Sequence, residues 1–82
     1  MMKTLKIKAF GITRDILGGR EVELQLNESG TVGDLRSQLS STYPEVLQLK
    51  SLFIAVNNEY ADDHVVLNVT DEIALIPPVS GG

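Results

Sequence analysis

Thr31-Val-Gly-Asp-Leu-Arg-Ser-Gln-Leu-Ser-Ser-Thr-Tyr43-Pro44 carries the helical period that decides the fold class. Val32, Leu35, Leu39 and Tyr43 recur at helical spacing and share one face of an amphipathic helix. Thr31, with Asp34 three residues on, has the form of a capping box in which Asp replaces Glu. Pro44 ends the helix, because the residue before a proline is pushed out of the α region. The expectation is one helix of about three turns, with Gly33 permitting a close approach in its first turn.

Strand patterns lie on both sides of this helix. Upstream, Leu5, Ile7 and Ala9 alternate with Lys6, Lys8 and Phe10, the period of a strand with one buried face. Phe10 falls on the face of Lys6 and Lys8, which reads most simply as solvated. Val22, Leu24 and Leu26 alternate with Glu21, Glu23 and Gln25, so a second strand pairs with the first as a hairpin. Ile12 to Leu17 suits a short helical turn, broken by Gly18-Gly19, and Asn27 to Gly30 closes the hairpin. Downstream, Val46, Leu47 and Leu49 fall in a packed connection. Leu52 to Val56 is a short apolar run that reads as a strand near the sheet centre. Asn57-Asn58 is a turn signal, residues 59 to 70 read as irregular, and Glu72 to Ile76 forms the last strand. The order is ββα followed by at least two strands, an α+β arrangement with a mixed sheet and one main helix across one face.

Length and composition bound the function. Eighty-two residues make one domain, and a chain of this size buries only about 60–65% of its unfolded surface, enough for one modest core. The chain has no cysteine, which excludes disulfides, a thiolate nucleophile and cysteine-ligated zinc. Lys3, Lys6 and Lys8 are interleaved with apolar residues, unlike a signal peptide, and no apolar run reaches roughly 18 residues. We therefore expect a soluble, cytoplasmic protein with no membrane partner. A net charge of −4 argues against a nucleic-acid surface and favours a basic protein partner.

The final residues, Pro77-Pro78-Val79-Ser80-Gly81-Gly82, have a composition of their own. Residues 1–76 read as the folded body and residues 77–82 as an extended tail. Pro77 and Pro78 fix φ and remove donors, so they end sheet pairing and project the chain as a stiff segment. The five residues beyond Pro77 reach at most roughly 16 Å. Gly81 and Gly82 have no Cβ and could thread a channel too narrow for other residues, presenting the α-carboxylate at its end. A carboxylate is a poor electrophile until activated, for instance as an acyl-adenylate. A frayed terminus would have a similar composition, so the diglycine alone leaves both readings open.

Strand phase adds a candidate surface. With Ile73 and Leu75 facing the helix, Ile76 points outward, as Phe10 does at the end of the first strand. If these strands are parallel neighbours, the two residues form one apolar patch beside the tail, suited to protein docking. Tyr60, just after the Asn57-Asn58 turn, could join it.

Several features together resemble one family. They are the ββα-then-strands order, the segment Phe10-Gly-Ile-Thr-Arg14, the run Ala55-Val56-Asn57, Asp71-Glu72, and above all Ile76-Pro-Pro-Val-Ser-Gly-Gly82. The chain resembles the small subunit of molybdopterin synthase, the MoaD family, over nearly its whole length. Ile76 stands where that family commonly has an aromatic residue.

The resemblance implies the ubiquitin-like β-grasp fold and a sulfur carrier. An ATP-dependent adenylating enzyme, related to ubiquitin-activating enzymes, would activate Gly82. A sulfur donor protein would then give a C-terminal thiocarboxylate. Pro77, Pro78, Val79, Ser80 and Gly81 would carry that end into the active site of the synthase large subunit, where it donates sulfur to cyclic pyranopterin monophosphate. A heterotetramer of two small and two large subunits follows from the resemblance. The chain is then a cosubstrate, not an enzyme, and binds no cofactor of its own, since ATP belongs to the activating enzyme. Phe10, Arg14, Tyr60 and Ile76 are the expected docking residues. Carriers of thiamine synthesis or tRNA thiolation, and ubiquitin-like protein modifiers, share the fold and the diglycine end. The Pro-Pro-Val-Ser segment favours the molybdopterin branch.

Other candidates for chemistry are weaker. His64 follows Asp62 and Asp63, but three consecutive residues cannot converge on one metal without a loop and further ligands, so a solvated turn is expected and no metal. Arg14 and Asp15 could form a surface ion pair worth at most about 1 kcal/mol. No glycine-rich phosphate loop of the Gly-x-x-x-x-Gly-Lys type and no nucleophile constellation is present.

Overall fold

The computed structural model of the chain describes residues 1–49 and 51–78. Five strands and two α-helices follow in the order β1 (Met2–Ala9), α1 (Ile12–Leu17), β2 (Glu21–Asn27), α2 (Val32–Thr42), β3 (Phe53–Val56), β4 (Glu59–Tyr60) and β5 (Ile73–Ile76). A 3₁₀ turn, Pro44–Gln48, follows α2 directly. This is where the packed connection was expected; its Val46 is buried, but Leu47 is 70% exposed and so does not pack as expected.

The alternations in β1 and β2 become a hairpin in register, with Leu5 opposite Leu24 and Lys6 opposite Glu23. Leu5, Ile7, Ala9, Leu24 and Leu26 are buried, whereas Lys6, Lys8, Glu21 and Glu23 are exposed. Because side-chain direction alternates along a strand, this register puts Leu5, Ile7 and Ala9 on one face with Val22, Leu24 and Leu26, while Met2 falls in the other phase and is exposed. The buried residues of α2, Val32, Leu35 and Leu39, close the core over that face together with Ile54, Leu67, Ile73 and Leu75.

The sheet order is β2-β1-β5-β3-β4. β1 and β5 are parallel neighbours, and the other pairs are antiparallel. This mixed sheet with one main helix across it is the β-grasp arrangement. β3 lies near the sheet centre as expected, between the middle strand β5 and the two-residue edge strand β4. One expectation is corrected: residues 59 and 60 are not irregular. Asn57 and Asn58 both take positive φ, 55° and 70°, as both central residues of a type I′ hairpin turn require, and the chain returns as β4 with Tyr60 opposite Ala55.

The segment after β4 is fastened to the start of α2. The first helical N–H groups have no partner inside a helix. Here Val32 N–H donates to Val65 C=O (2.9 Å) and Gly33 N–H to Asp63 C=O (2.8 Å). Thr31 and Asp34 complete the capping box, with Asp34 N–H on Thr31 Oγ1 (3.2 Å) and Thr31 N–H on Asp34 Oδ2 (2.9 Å). A Cβ at Gly33 would lie 3.2 Å from the Asp63 carbonyl oxygen, so the close approach expected there is made by this segment. At its far end Asp71 accepts from Asn57 Nδ2 (3.0 Å) and Asn68 N–H (2.8 Å). Among the described residues, no helix is long and apolar enough to cross a membrane.

Candidate docking face and tail base

The sheet face away from α2 carries the candidate site. β1 and β5 pair with Ala9 opposite Leu75, so the next residues, Phe10 and Ile76, stand beside one another where the two strands end. β3 brings Ala55 opposite Ala74 and Phe53 opposite Ile76, and β4 places Tyr60 opposite Ala55. Large side chains therefore surround a floor of two alanines. The resulting depression encloses about 270 Å³ and is lined by Phe10, Tyr60, Ile76, Ala55 and Ala74, with Lys8 and Glu72 on its rim.

Three of the four residues expected for docking thus meet in one place. Phe10 is 40% exposed and Tyr60 69% exposed, and Ile76 is half-buried. The fourth, Arg14, lies on the other side of Phe10. Its Nε donates to Ala9 C=O (3.2 Å), and its guanidinium sits 5.8 Å from the centre of the Phe10 ring. The ion pair with Asp15 that the sequence allowed does not form, since adjacent helical residues point in different directions.

Phe53 is one residue that sequence reading missed. It is 47% exposed, and its ring stacks on Tyr60 with centroids 5.1 Å apart and planes 12° from parallel. Its alternation with buried Ile54 was available as a signal, but the all-apolar run concealed which residues faced outward. Thr13 was also missed. It is fully buried, accepts from Phe10 N–H (2.8 Å) and donates to Phe10 C=O. Its hydroxyl therefore secures both backbone groups of the exposed aromatic.

The rim is charged. Lys8 Nζ lies 3.3 Å from Glu72 Oε1, with both side chains largely exposed, a pairing worth at most about 1 kcal/mol. Residues 59–72 hold five of the eleven acidic residues and none of the seven Lys and Arg residues. This segment therefore carries −5 against +1 for the remainder. His64 Nε2 lies 4.0 Å from Asp62 Oδ2, and both side chains are more than 80% exposed. Among the described residues no three potential ligands gather to hold a metal ion.

Pro77 and Pro78 follow β5 directly and are half-buried. Val79, Ser80, Gly81 and Gly82, expected to complete the tail, lie outside the described residues.

A profile described as the ThiS family matches residues 7–82. The chain belongs to that family. This ThiS-family chain is 37% identical, over 87 aligned positions and the full length of both proteins, to the molybdopterin synthase sulfur carrier subunit of Dictyostelium discoideum. Among solved structures, it is similar to SAMP1, a small archaeal modifier protein from Haloferax volcanii, with a TM-score of 0.82 and 27% identity over 98% of this chain and 100% of that one. It is also similar to a chain in the complex of subunits 1 and 2 of the molybdopterin-converting factor from Helicobacter pylori, with a TM-score of 0.67 and 26% identity over 98% of this chain and 100% of the other.

Proposed function

We propose that this chain is the sulfur-carrier subunit of a molybdopterin synthase, acting in the cytoplasm through Gly82. The observation that carries the reading is the full-length likeness to a molybdopterin synthase sulfur carrier subunit, joined to the Pro-Pro-Val-Ser-Gly-Gly ending. The chemistry runs in two stages. A carboxylate oxygen of Gly82 attacks the α-phosphorus of ATP in a ubiquitin-activating-like enzyme, releasing pyrophosphate and leaving an acyl-adenylate. Sulfur delivered by a donor protein at the oxidation level of sulfide then displaces AMP. The product is a thiocarboxylate, which is a good nucleophile near neutral pH.

The loaded end then enters the large subunit, and its sulfur attacks cyclic pyranopterin monophosphate. Loss of the sulfur to the pterin, with water supplying oxygen, returns the carboxylate for another cycle. This chain contributes no acid, base or phosphate-binding group in the reading; the large subunit does. The depression lined by Phe10, Tyr60 and Ile76 serves docking, Arg14 supports Phe10 from behind, and Pro77 to Gly81 span the distance to the active site. The likeness to a subunit seen in complex with its partner supports a large-subunit partner.

Intact mass spectrometry after co-expression with candidate activating enzymes tests the reading. A gain equal to sulfur minus oxygen, lost when Gly82 is deleted or one alanine is appended, is the expected result. Unchanged pterin-dependent activity in reconstituted synthase with either altered end would sink it. The likeness to SAMP1 favours one second reading, attachment through Gly82 to lysines of other proteins. Ladders of this chain on other proteins in the same experiment would select that reading instead.

A further inference from the structure

Gly11 meets the outgoing chain at Pro77. β1 and β5 end side by side, so Phe10-Gly11 and Ile76-Pro77 leave the sheet as neighbours. A Cβ built on Gly11 would stand 3.1 Å from Pro77 Cγ, inside the roughly 3.5–4.0 Å of an optimal carbon–carbon contact. The pyrrolidine ring occupies the space that a side chain at position 11 would need.

Both partners are rigid. Gly11 follows Phe10 in a turn closed by Thr13 N–H on Phe10 C=O (3.1 Å). Its φ of 56° and ψ of −134° match the first central position of a type II′ turn, which glycine dominates. Thr13 and Arg14 fasten the turn to the end of β1 through their bonds to Phe10 and Ala9. Pro77 has its φ fixed by its own ring. A stiff turn thus touches a stiff residue at the base of the segment that ends in Gly82.

We propose that Gly11 is a positioning residue: its bare backbone seats the Pro77 ring and so sets the direction in which the chain leaves the sheet at Pro77 and Pro78. The inference rests on the reading of Gly82 as the reacting end. Direction at the base matters because a swing of about 15° over a reach of roughly 16 Å carries the tip some ~4 Å. A misplacement of about 1 Å can cost a reaction about a hundred-fold. The turn alone would account for a glycine here, but not for the ring placed against it.

Two measurements on the full chain decide the matter. In heteronuclear NMR, Gly11→Ala is expected to move the resonances of Pro77 and Val79 as well as those of Phe10 to Arg14, and Pro77→Gly to move those of Gly11. In steady-state loading of Gly82 by the activating enzyme, Gly11→Ala is expected to lower kcat by about ten-fold or more while KM stays within about two-fold. The Gly11→Ala/Pro77→Gly double variant should be no slower than Pro77→Gly alone, because the two act on one contact. Shifts confined to residues 10–14, a rise in KM without loss of kcat, or a double variant carrying both losses in full would each overturn the proposal. If Gly11→Ala fails to fold, Pro77→Gly alone decides, since unmoved Gly11 resonances refute the seat. If the unaltered chain takes up no sulfur, the carrier reading falls while the NMR comparison still scores the seat.

Discussion

Thr13 shows how a residue without charge or exposure can govern a surface. It is fully buried, and its hydroxyl satisfies both the N–H and the C=O of Phe10. A buried backbone donor that loses its acceptor costs about 1–3 kcal/mol, more than the net worth of an average hydrogen bond. Thr13→Val keeps the shape and removes the partner. It should therefore lower stability by about 1–3 kcal/mol in denaturant titration, with Thr13→Ser retaining most of it. Unchanged stability in Thr13→Val would mean that Phe10 holds its place without this hydroxyl. Arg14 works alongside through Ala9 C=O and the Phe10 ring, so the segment Phe10 to Arg14 is best understood as a mount for one aromatic side chain.

At the scale of elements, the start of α2 is the joint on which the long return segment depends. Its free N–H groups are divided between the capping box and the carbonyls of Asp63 and Val65. Arg36, one turn further, adds bonds to Leu52 C=O (2.6 Å) and Asp63 Oδ1 (3.3 Å). On the opposite side Lys3 Nζ reaches Glu28 C=O (2.7 Å) and Leu67 C=O, tying β1 to the same segment. Thr31→Ala should cost about 1 kcal/mol, in the usual range for a lost N-cap. Adding Asp34→Ala should cost less than its single effect, because each residue of a capping box serves the other. Additive losses in the double variant, read by thermal or denaturant unfolding, would show that the two bonds act independently.

On the scale of the whole molecule, apolar and acidic surface are separated but adjacent. The depression between Phe10, Tyr60 and Ile76 adjoins a segment carrying −5, while the rest of the chain carries +1. Such an arrangement steers a partner that has basic groups around an apolar contact, and it acts on the association rate more than on affinity. Phe10→Asp or Ile76→Asp should weaken binding to the large subunit by more than about 1 kcal/mol if either is a buried anchor. Asp62→Lys should instead slow association at low salt and lose that effect as ionic strength rises. Unchanged affinity in both apolar variants would remove the depression from the docking surface. Association rates insensitive to salt would remove the acidic segment from steering.

Local chemistry was legible in the sequence. Thr31, Asp34 and Pro44 marked the ends of the helix. The alternations from Leu5 and Val22 gave a hairpin with its faces assigned, and the pattern at Ile12 to Leu17 gave α1 to the residue. Each signal acts within a few positions, through a backbone preference or a side-chain period. Even β4 was within reach, because Asn tolerates the positive φ that both central positions of a type I′ turn need.

What only the tertiary structure decided is which distant residues stand together. That β5 lies between β1 and β3, and that Phe10, Tyr60 and Ile76 share one depression with Ala55 and Ala74 as its floor, depend on a parallel pairing between residues 7–9 and 73–75. No local preference encodes that pairing. It is chosen by the burial of one continuous apolar face under α2, a sum over the entire sheet. The meeting of Gly11 with Pro77 has the same origin, because the turn fixes one residue, the ring fixes the other, and only the sheet brings them into contact.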